Sequence, residues 1–192
     1  SDSITALAAD KYGIVWIGTN KGLCSYDILK EKFSRYYFNS LGSTISNANI
    51  TALFIDSSNR LWVGTHEGIV LIDLKTRRIS RLNLPNFICS EENPINTFAE
   101  YKNTILVGTN LGLHVVESET SEELYFNCAN GFEINTFFSA KSINHIIVDK
   151  RNRIWFATPT NGVYIYSPGT CGFQHLYSDF SSRYGLINND IL

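Results

Sequence analysis

Short runs of alternating or continuous apolar residues, bounded by turn residues, fill the chain and predict strands rather than helices. The first fifty residues divide into ITALAAD, IVWIGT, LCSYDI and FSRYYF, rich in Ile, Val, Tyr and Phe, with KYG, NKG and LKEK between them. Asp10 opens the first turn, where its carboxylate can accept bonds from the backbone amides that follow. Three residues later stands Gly13, suited to a left-handed conformation. Gly22 serves the second turn in the same way. Four short strands joined by three tight turns make an antiparallel meander.

The pattern repeats. Ile4 opens ITALAADKYGIVWIGT, Ile50 opens ITALFIDSSNRLWVGT, Ile95 opens INTFAEYKNTILVGT and Ile143 opens INHIIVDKRNRIWFAT. The intervals are 46, 45 and 48 residues, and Ile191 and Leu192 stand where the phrase would begin again. Repeats therefore run over residues 4–49, 50–94, 95–142 and 143–190, with the start of a fifth expected at 191. Four strands in such a period is the arithmetic of a β-propeller blade, whereas a β-sandwich needs no period and a β-solenoid has a much shorter one. The fold expected is all-β: four consecutive four-stranded antiparallel blades belonging to a larger ring.

Trp16, Trp62 and Trp155 share one position of this frame, occupied by Leu106 in the third repeat. A bulky side chain recurring mid-strand fills the space between neighbouring sheets. Gly18, Gly64 and Gly108, two residues on, leave room for that packing, and Ala157 replaces them in the fourth repeat. A ring of sugar-stacking indoles is the competing reading, but one position repeated in every blade performs one structural task.

Composition narrows the function. Charged residues make up only 18% and the net charge is −2, too weak a field to hold nucleic acid or an anionic membrane. No apolar run reaches membrane-spanning length, and the first residues do not read as a signal peptide. Cys24, Cys89, Cys128 and Cys171 match no zinc or redox spacing, so free thiols are expected and neither metal nor cofactor is assigned. His66, His114, His145 and His175 have no carboxylate or cysteine at triad or metal-ligand spacing. The acidic pairs Glu91–Glu92 and Glu122–Glu123 fall in polar turns, where solvation is expected. No catalytic residue is assigned.

The frame D-x-x-G-x-[IVL]-W-[IV]-G-T-x-x-G-[LI]-x-x-[YI]-D resembles the two-component regulator propeller repeat. The first two repeats match it through Asp27 and Asp73. The fourth has Phe-Ala-Thr for Ile-Gly-Thr and one inserted residue, and the third lacks both Asp and Trp. The resemblance implies a periplasmic sensor region of a Bacteroidetes sensor kinase or hybrid regulator anchored in the inner membrane. It also implies further blades completing a seven-bladed ring and a downstream β-domain in the same chain, room for a homodimer of the parent, a histidine kinase beyond the membrane, and in many members an oligosaccharide signal.

Binding residues are sought where propellers present loops, at one end of every blade. With the first strand innermost, the inter-blade stretches 39–49, 85–94, 127–142 and 178–190 share a face with the second-to-third-strand turns. That face offers Phe87, Phe132, Phe180 and Tyr184 as stacking surfaces and Asn20, Asn49 and His66 as polar partners, a combination suited to sugar rings. Either these aromatics meet a ligand or they fasten their own loops. Glu67, Glu91, Glu92, Glu133, Asp179 and Asp190 outnumber Lys21, Lys141 and Arg183 there, so a neutral or weakly charged glycan fits better than a sulfated one. The function expected is a non-enzymatic oligosaccharide sensor. A structural, protein-docking propeller and a carbohydrate-active propeller enzyme are the alternatives.

Overall fold

The computed structural model describes residues 3–36, 48–82, 84, 87, 90–124, 133–170, 172–178 and 186. They form two compact halves, Ser1–Ile95 and Asn96–Leu192. The strands are β1 (Ile4–Ala9), β2 (Ile14–Thr19), β3 (Gly22–Asp27), β4 (Lys32–Tyr36), β5 (Ile50–Ile55), β6 (Arg60–Thr65), β7 (Gly68–Asp73) and β8 (Ile79–Leu82), followed by β9 (Ile95–Tyr101), β10 (Thr104–Thr109), β11 (Gly112–Glu117) and β12 (Glu123–Leu124). A helical turn, α1 (Ile134–Phe137), precedes β13 (His145–Val148), β14 (Ile154–Thr158), β15 (Gly162–Ser167) and β16 (Gly172–Leu176). They make four separate four-stranded sheets, each an antiparallel meander in chain order. The four repeats are thus four blades.

Cross-strand register places the repeated bulky residue identically in each sheet. Trp16 lies between Ala8 and Ser25, Trp62 between Phe54 and Leu71, and Trp155 between Ile147 and Ile165, while Leu106 faces Val115. Trp16 is buried in one core cluster with Leu23 of its own sheet and with Ile50, Leu61, Val63, Val70 and Ile72 of the next. In the other half Leu106 shares a cluster with Ile134, Phe138, Ile143 and Phe156.

The stretch 127–142, read as a loop, contains α1. Ile134, Phe137 and Phe138 fall at helical spacing, and the turn drives Ile134 and Phe138 into the core. Phe137 stacks on Phe173 at 4.5 Å, and Phe138 meets Phe156 at 4.4 Å. These aromatics fasten their own segment, supplying apolar volume where the third sheet has leucine in place of tryptophan.

The glycine two residues after the bulky position sets the approach of whatever packs on it. A β-carbon at Gly18 would sit 2.6 Å from Ile50 Cγ2, one at Gly64 3.0 Å from Ile95 Cβ, and one at Gly108 2.9 Å from Ile143 Cγ2. The isoleucine that opens each following repeat therefore rests directly on bare backbone. The bland expectation of "room for packing" is here a specific seat.

The turn aspartates do more than cap turns. Asp56 Oδ1 accepts the Arg60 amide at 2.8 Å, as expected. Its Oδ2 also accepts Arg60 Nε at 2.7 Å and the buried Trp62 Nε1 at 2.8 Å. Asp149 does the same with Arg153 Nε at 2.7 Å and Trp155 Nε1 at 3.0 Å. The guanidinium carbons of Arg60 and Arg153 lie 5.7 and 5.1 Å from the indole centroids, adding a cation–π contact. In the first blade Ile14 stands where the arginine would be. Asp10 Oδ1 caps Tyr12 and Ile14, but Trp16 Nε1 is buried with no acceptor. Trp16 instead packs against Tyr36, the rings tilted by 45° with centroids 4.8 Å apart, and takes its cation, Arg77, from the β7–β8 turn of the neighbouring blade.

Asp56→Ala should lower stability by about 3 kcal/mol in urea unfolding, because it removes the buried carboxylate that neutralises Arg60 and accepts the Trp62 indole N–H. Asp10→Ala, which removes only a turn cap, should cost about 1 kcal/mol. The Trp155 indole N–H, then the Arg153 amide and guanidinium, hold the Asp149 carboxyl well below the usual carboxylate range. Backbone amides lower Asp27 and Asp73 similarly, from Lys30 and Thr76 respectively. Their stabilisation is complete above the unfolded carboxylate pKa of about 4 and is lost as pH falls further, through the depressed folded values. The stability gap between the parent chain and Asp149→Asn should stay constant above about pH 5 and narrow below about pH 4, measured by urea midpoints across the range.

Candidate functional site

The turns joining second to third strands are closed from within. Thr19 Oγ1 donates to the Gly22 carbonyl at 2.9 Å and accepts the Lys21 amide at 3.1 Å. Thr65 does the same with Gly68 at 2.9 Å and Glu67 at 3.0 Å, and Thr109 with Gly112 and Leu111 at 3.1 and 3.2 Å. Thr158 bonds Gly162 at 2.8 Å and Asn161 at 3.1 Å, spanning one more residue. All four threonines are buried, and the glycines adopt φ of 118°, 128°, 146° and 70°. The residues between threonine and glycine are held up as a tip.

These tips meet the lead-in residues of the first strands. In the first half, Asn49 Nδ2 lies 3.2 Å from His66 Nε2, so two of the residues expected at a binding face come together. Asn20 is exposed at its tip, its amide donating to the Ser3 carbonyl at 3.4 Å. Phe87 is half-buried, its amide bonded to the Leu84 carbonyl at 3.1 Å. Phe132, Phe180 and Tyr184 lie outside the described residues.

The second half contains a polar group not singled out beforehand. Asn96 Nδ2 donates to Asn110 Oδ1 at 2.9 Å and to the Ile143 carbonyl at 3.0 Å, and Ser142 Oγ donates to the same Asn110 oxygen at 3.3 Å. Thr97 Oγ1 is 3.5 Å from His145 Nδ1. Repeat register could have found it, since Asn110 occupies the tip position of Asn20 and His66, and Ser142 the lead-in position of Asn49. In the last blade His175 stacks on Tyr164 at 4.2 Å with 1° between planes, and its Nε2 is 2.6 Å from the Asn161 carbonyl. Tyr177, half exposed, adjoins His175 at 5.0 Å.

One expectation about charge is corrected. Glu123 is not a solvated turn residue: its Oε1 lies 2.7 Å from His114 Nδ1, across the β11–β12 pair, and both side chains are largely buried. Cross-strand pairing brings together residues nine positions apart, which no sequence-spacing rule for dyads covers. Of the four cysteines only Cys24 falls among the described residues, and it is a free, half-buried thiol. Among the described residues no cluster of His, Cys, Asp and Glu could hold a metal, and no helix is long and apolar enough to cross a membrane.

Consecutive four-stranded meander sheets, each with a polar tip between its second and third strands, define a propeller-type repeat protein. Within that class, the model of the two-component regulator propeller family matches residues 1–21 and 44–67, the opening parts of the first two repeats. No curated protein matches the sequence. Solved structures match the fold. The extracellular domain of a B. thetaiotaomicron protein described as a hybrid two-component system is 21% identical, with a TM-score of 0.77 over 98% of this chain and 24% of that one. PorZ, a surface component of the type-IX secretion system of Porphyromonas gingivalis, is 18% identical, with a TM-score of 0.71 over 97% of this chain and 28% of that one. Virginiamycin B lyase of Staphylococcus aureus is 15% identical, with a TM-score of 0.66 over 95% of this chain and 58% of that one. The chain thus spans about a quarter of the first two structures and just over half of the third.

Asn96 joins the Asn110 side chain to the Ile143 carbonyl, whereas Asn49 meets the His66 side chain. Asn96→Ala should cost about 1 kcal/mol, or a fall of roughly 2–4 °C in melting temperature, and Asn49→Ala should leave it unchanged, by differential scanning calorimetry.

Proposed function

We propose that the chain is a ligand-sensing, non-catalytic segment of an extracytoplasmic two-component sensor, and that its ligand is a neutral or weakly charged oligosaccharide. The observation that carries this reading is the chemistry of the tip end: amides and an imidazole, Asn49 with His66 and Asn96 with Asn110 and Ser142, on turns whose shape is fixed independently of them. Amide groups donate and accept at once, which matches the hydroxyl rim of a sugar ring. In this reading Asn20 adds a further amide, and Phe87, Phe132, Phe180 and Tyr184 supply stacking faces. The family match to the first two repeats supports the sensor role, as does the fold shared with an extracellular domain of a two-component protein. Binding is passed to a histidine kinase elsewhere in the parent protein.

Calorimetric titration with neutral hexose and pentose oligosaccharides, beside sulfated ones, tests the proposal. Micromolar to millimolar binding of a neutral glycan is expected, weakened about tenfold (about 1.4 kcal/mol) by Asn49→Ala with His66→Ala at unchanged melting temperature. Undiminished affinity in that double variant, or cleavage of the glycan on incubation, would sink it.

A further inference from the structure

The carbonyl just before a tip glycine is gripped from outside in the second, third and fourth blades, each time by a different group. Arg81 Nη2 donates to the Glu67 carbonyl, and Nη1 of the same guanidinium lies 4.0 Å from the Glu67 carboxylate. His175 Nε2 lies 2.6 Å from the Asn161 carbonyl, an acceptor, so this nitrogen carries the proton. In the third blade the Ala140 amide, just past α1, donates to the Leu111 carbonyl at 2.8 Å. Glu67, Leu111 and Asn161 stand directly ahead of Gly68, Gly112 and Gly162.

The two side-chain donors come from one repeat position. Cross-strand register sets Arg81 opposite Val70 and His175 opposite Tyr164, in both blades the third residue of the third strand. From that place a side chain runs back two residues, about 7 Å, to meet the tip. Arginine spans this unaided, and its guanidinium lies over Gly68, 3.8 Å from where a β-carbon would be. Imidazole is shorter, and the fourth blade closes the distance by other means. A β-carbon at Gly162 would run into the Leu176 carbonyl and lie 3.2 Å from Tyr177 Cα, so the outer strand crosses the tip itself. The parallel stack on Tyr164 then holds the His175 ring in line.

The buried threonine leaves this carbonyl to such donors. Thr65 Oγ1 binds the Glu67 amide and the Gly68 carbonyl, on either side of the Glu67–Gly68 peptide, but not the oxygen of that peptide. Gly68, at a φ of 128°, lets the peptide turn where another residue would resist. Turning it swings Glu67 and His66 relative to Asn49. We propose that Arg81 and His175 are positioning residues, each pinning the carbonyl before its tip glycine and so setting the direction in which the tip holds its polar groups toward a ligand. The bearing on recognition rests on the ligand-sensing reading above; the grip itself does not.

Hydrogen exchange read by NMR tests the grip without any ligand. Arg81→Ala should speed exchange of the Gly68 amide about fivefold or more and shift the His66 ring resonances, with the melting temperature within about 2 °C of the parent chain. Arg81→Lys, which keeps a donor, should restore both signals. His175→Phe keeps a ring on Tyr164 but removes the donor, and should speed the Gly162 amide alike. Calorimetry with a neutral oligosaccharide tests the consequence. Arg81→Ala should weaken binding about fivefold in the parent chain and add nothing in a His66→Ala background, where the group it orients is already gone. Unchanged exchange in Arg81→Ala and His175→Phe would overturn the proposal. So would an equal loss of affinity with and without His66, which would make Arg81 a direct ligand contact. If the parent chain binds no glycan at all, the ligand-sensing reading fails and the exchange rates alone decide the grip.

Discussion

Neighbouring sheets come as close as they do because a side chain is missing. At Gly18 and Gly108 a β-branched isoleucine lies on exposed peptide backbone at a distance no β-carbon would allow. Protein interiors are dense enough that a single methyl in such a place must displace something. The bulky residue two positions earlier, Trp16 or Leu106, is fully buried beside this point of closest approach. Small and large residues at fixed spacing therefore shape a wedge, and repetition of the pair repeats the wedge.

The polar side of that arrangement is the aspartate clamp. An indole buried between sheets brings its N–H into a region without water, where an unmet donor is costly. In the second and fourth blades the turn aspartate meets it, and an arginine four residues after the aspartate neutralises the carboxylate and covers the ring. The third blade lacks aspartate and tryptophan together, so neither is left without the other. The first blade keeps both but has lost the arginine, and there the indole N–H is unmatched. The blades solve one packing problem with unequal completeness.

Most of the fold was legible because it rests on periodic local features. The four-strand meander, the left-handed turn positions at Gly13 and Gly22 and the shared place of Trp16, Trp62, Leu106 and Trp155 all follow from alternation and repeat length. What escaped depends on atoms rather than patterns. Asp56 was visible as a turn cap through one oxygen, but nothing in the spacing announces that the other reaches Trp62. The helical turn at Ile134–Phe137 was hidden because three apolar residues in an insertion are too few to distinguish a short helix from an anchored loop. At the candidate site, the closeness of Asn49 and His66 follows from loop topology, while Asn110 and Ser142 were passed over although they hold the repeat positions of His66 and Asn49. The His114–Glu123 pair arises from strand register alone.

The buried threonine hydroxyl that closes each second turn separates two evolutionary demands. Because Thr19, Thr65, Thr109 and Thr158 satisfy the turn without help from the tip, Asn-Lys, His-Glu, Asn-Leu and Pro-Thr-Asn can succeed one another on the same mount. Selection can rewrite what such a surface recognises one blade at a time, and even lengthen a tip by a residue, without renegotiating the architecture beneath it.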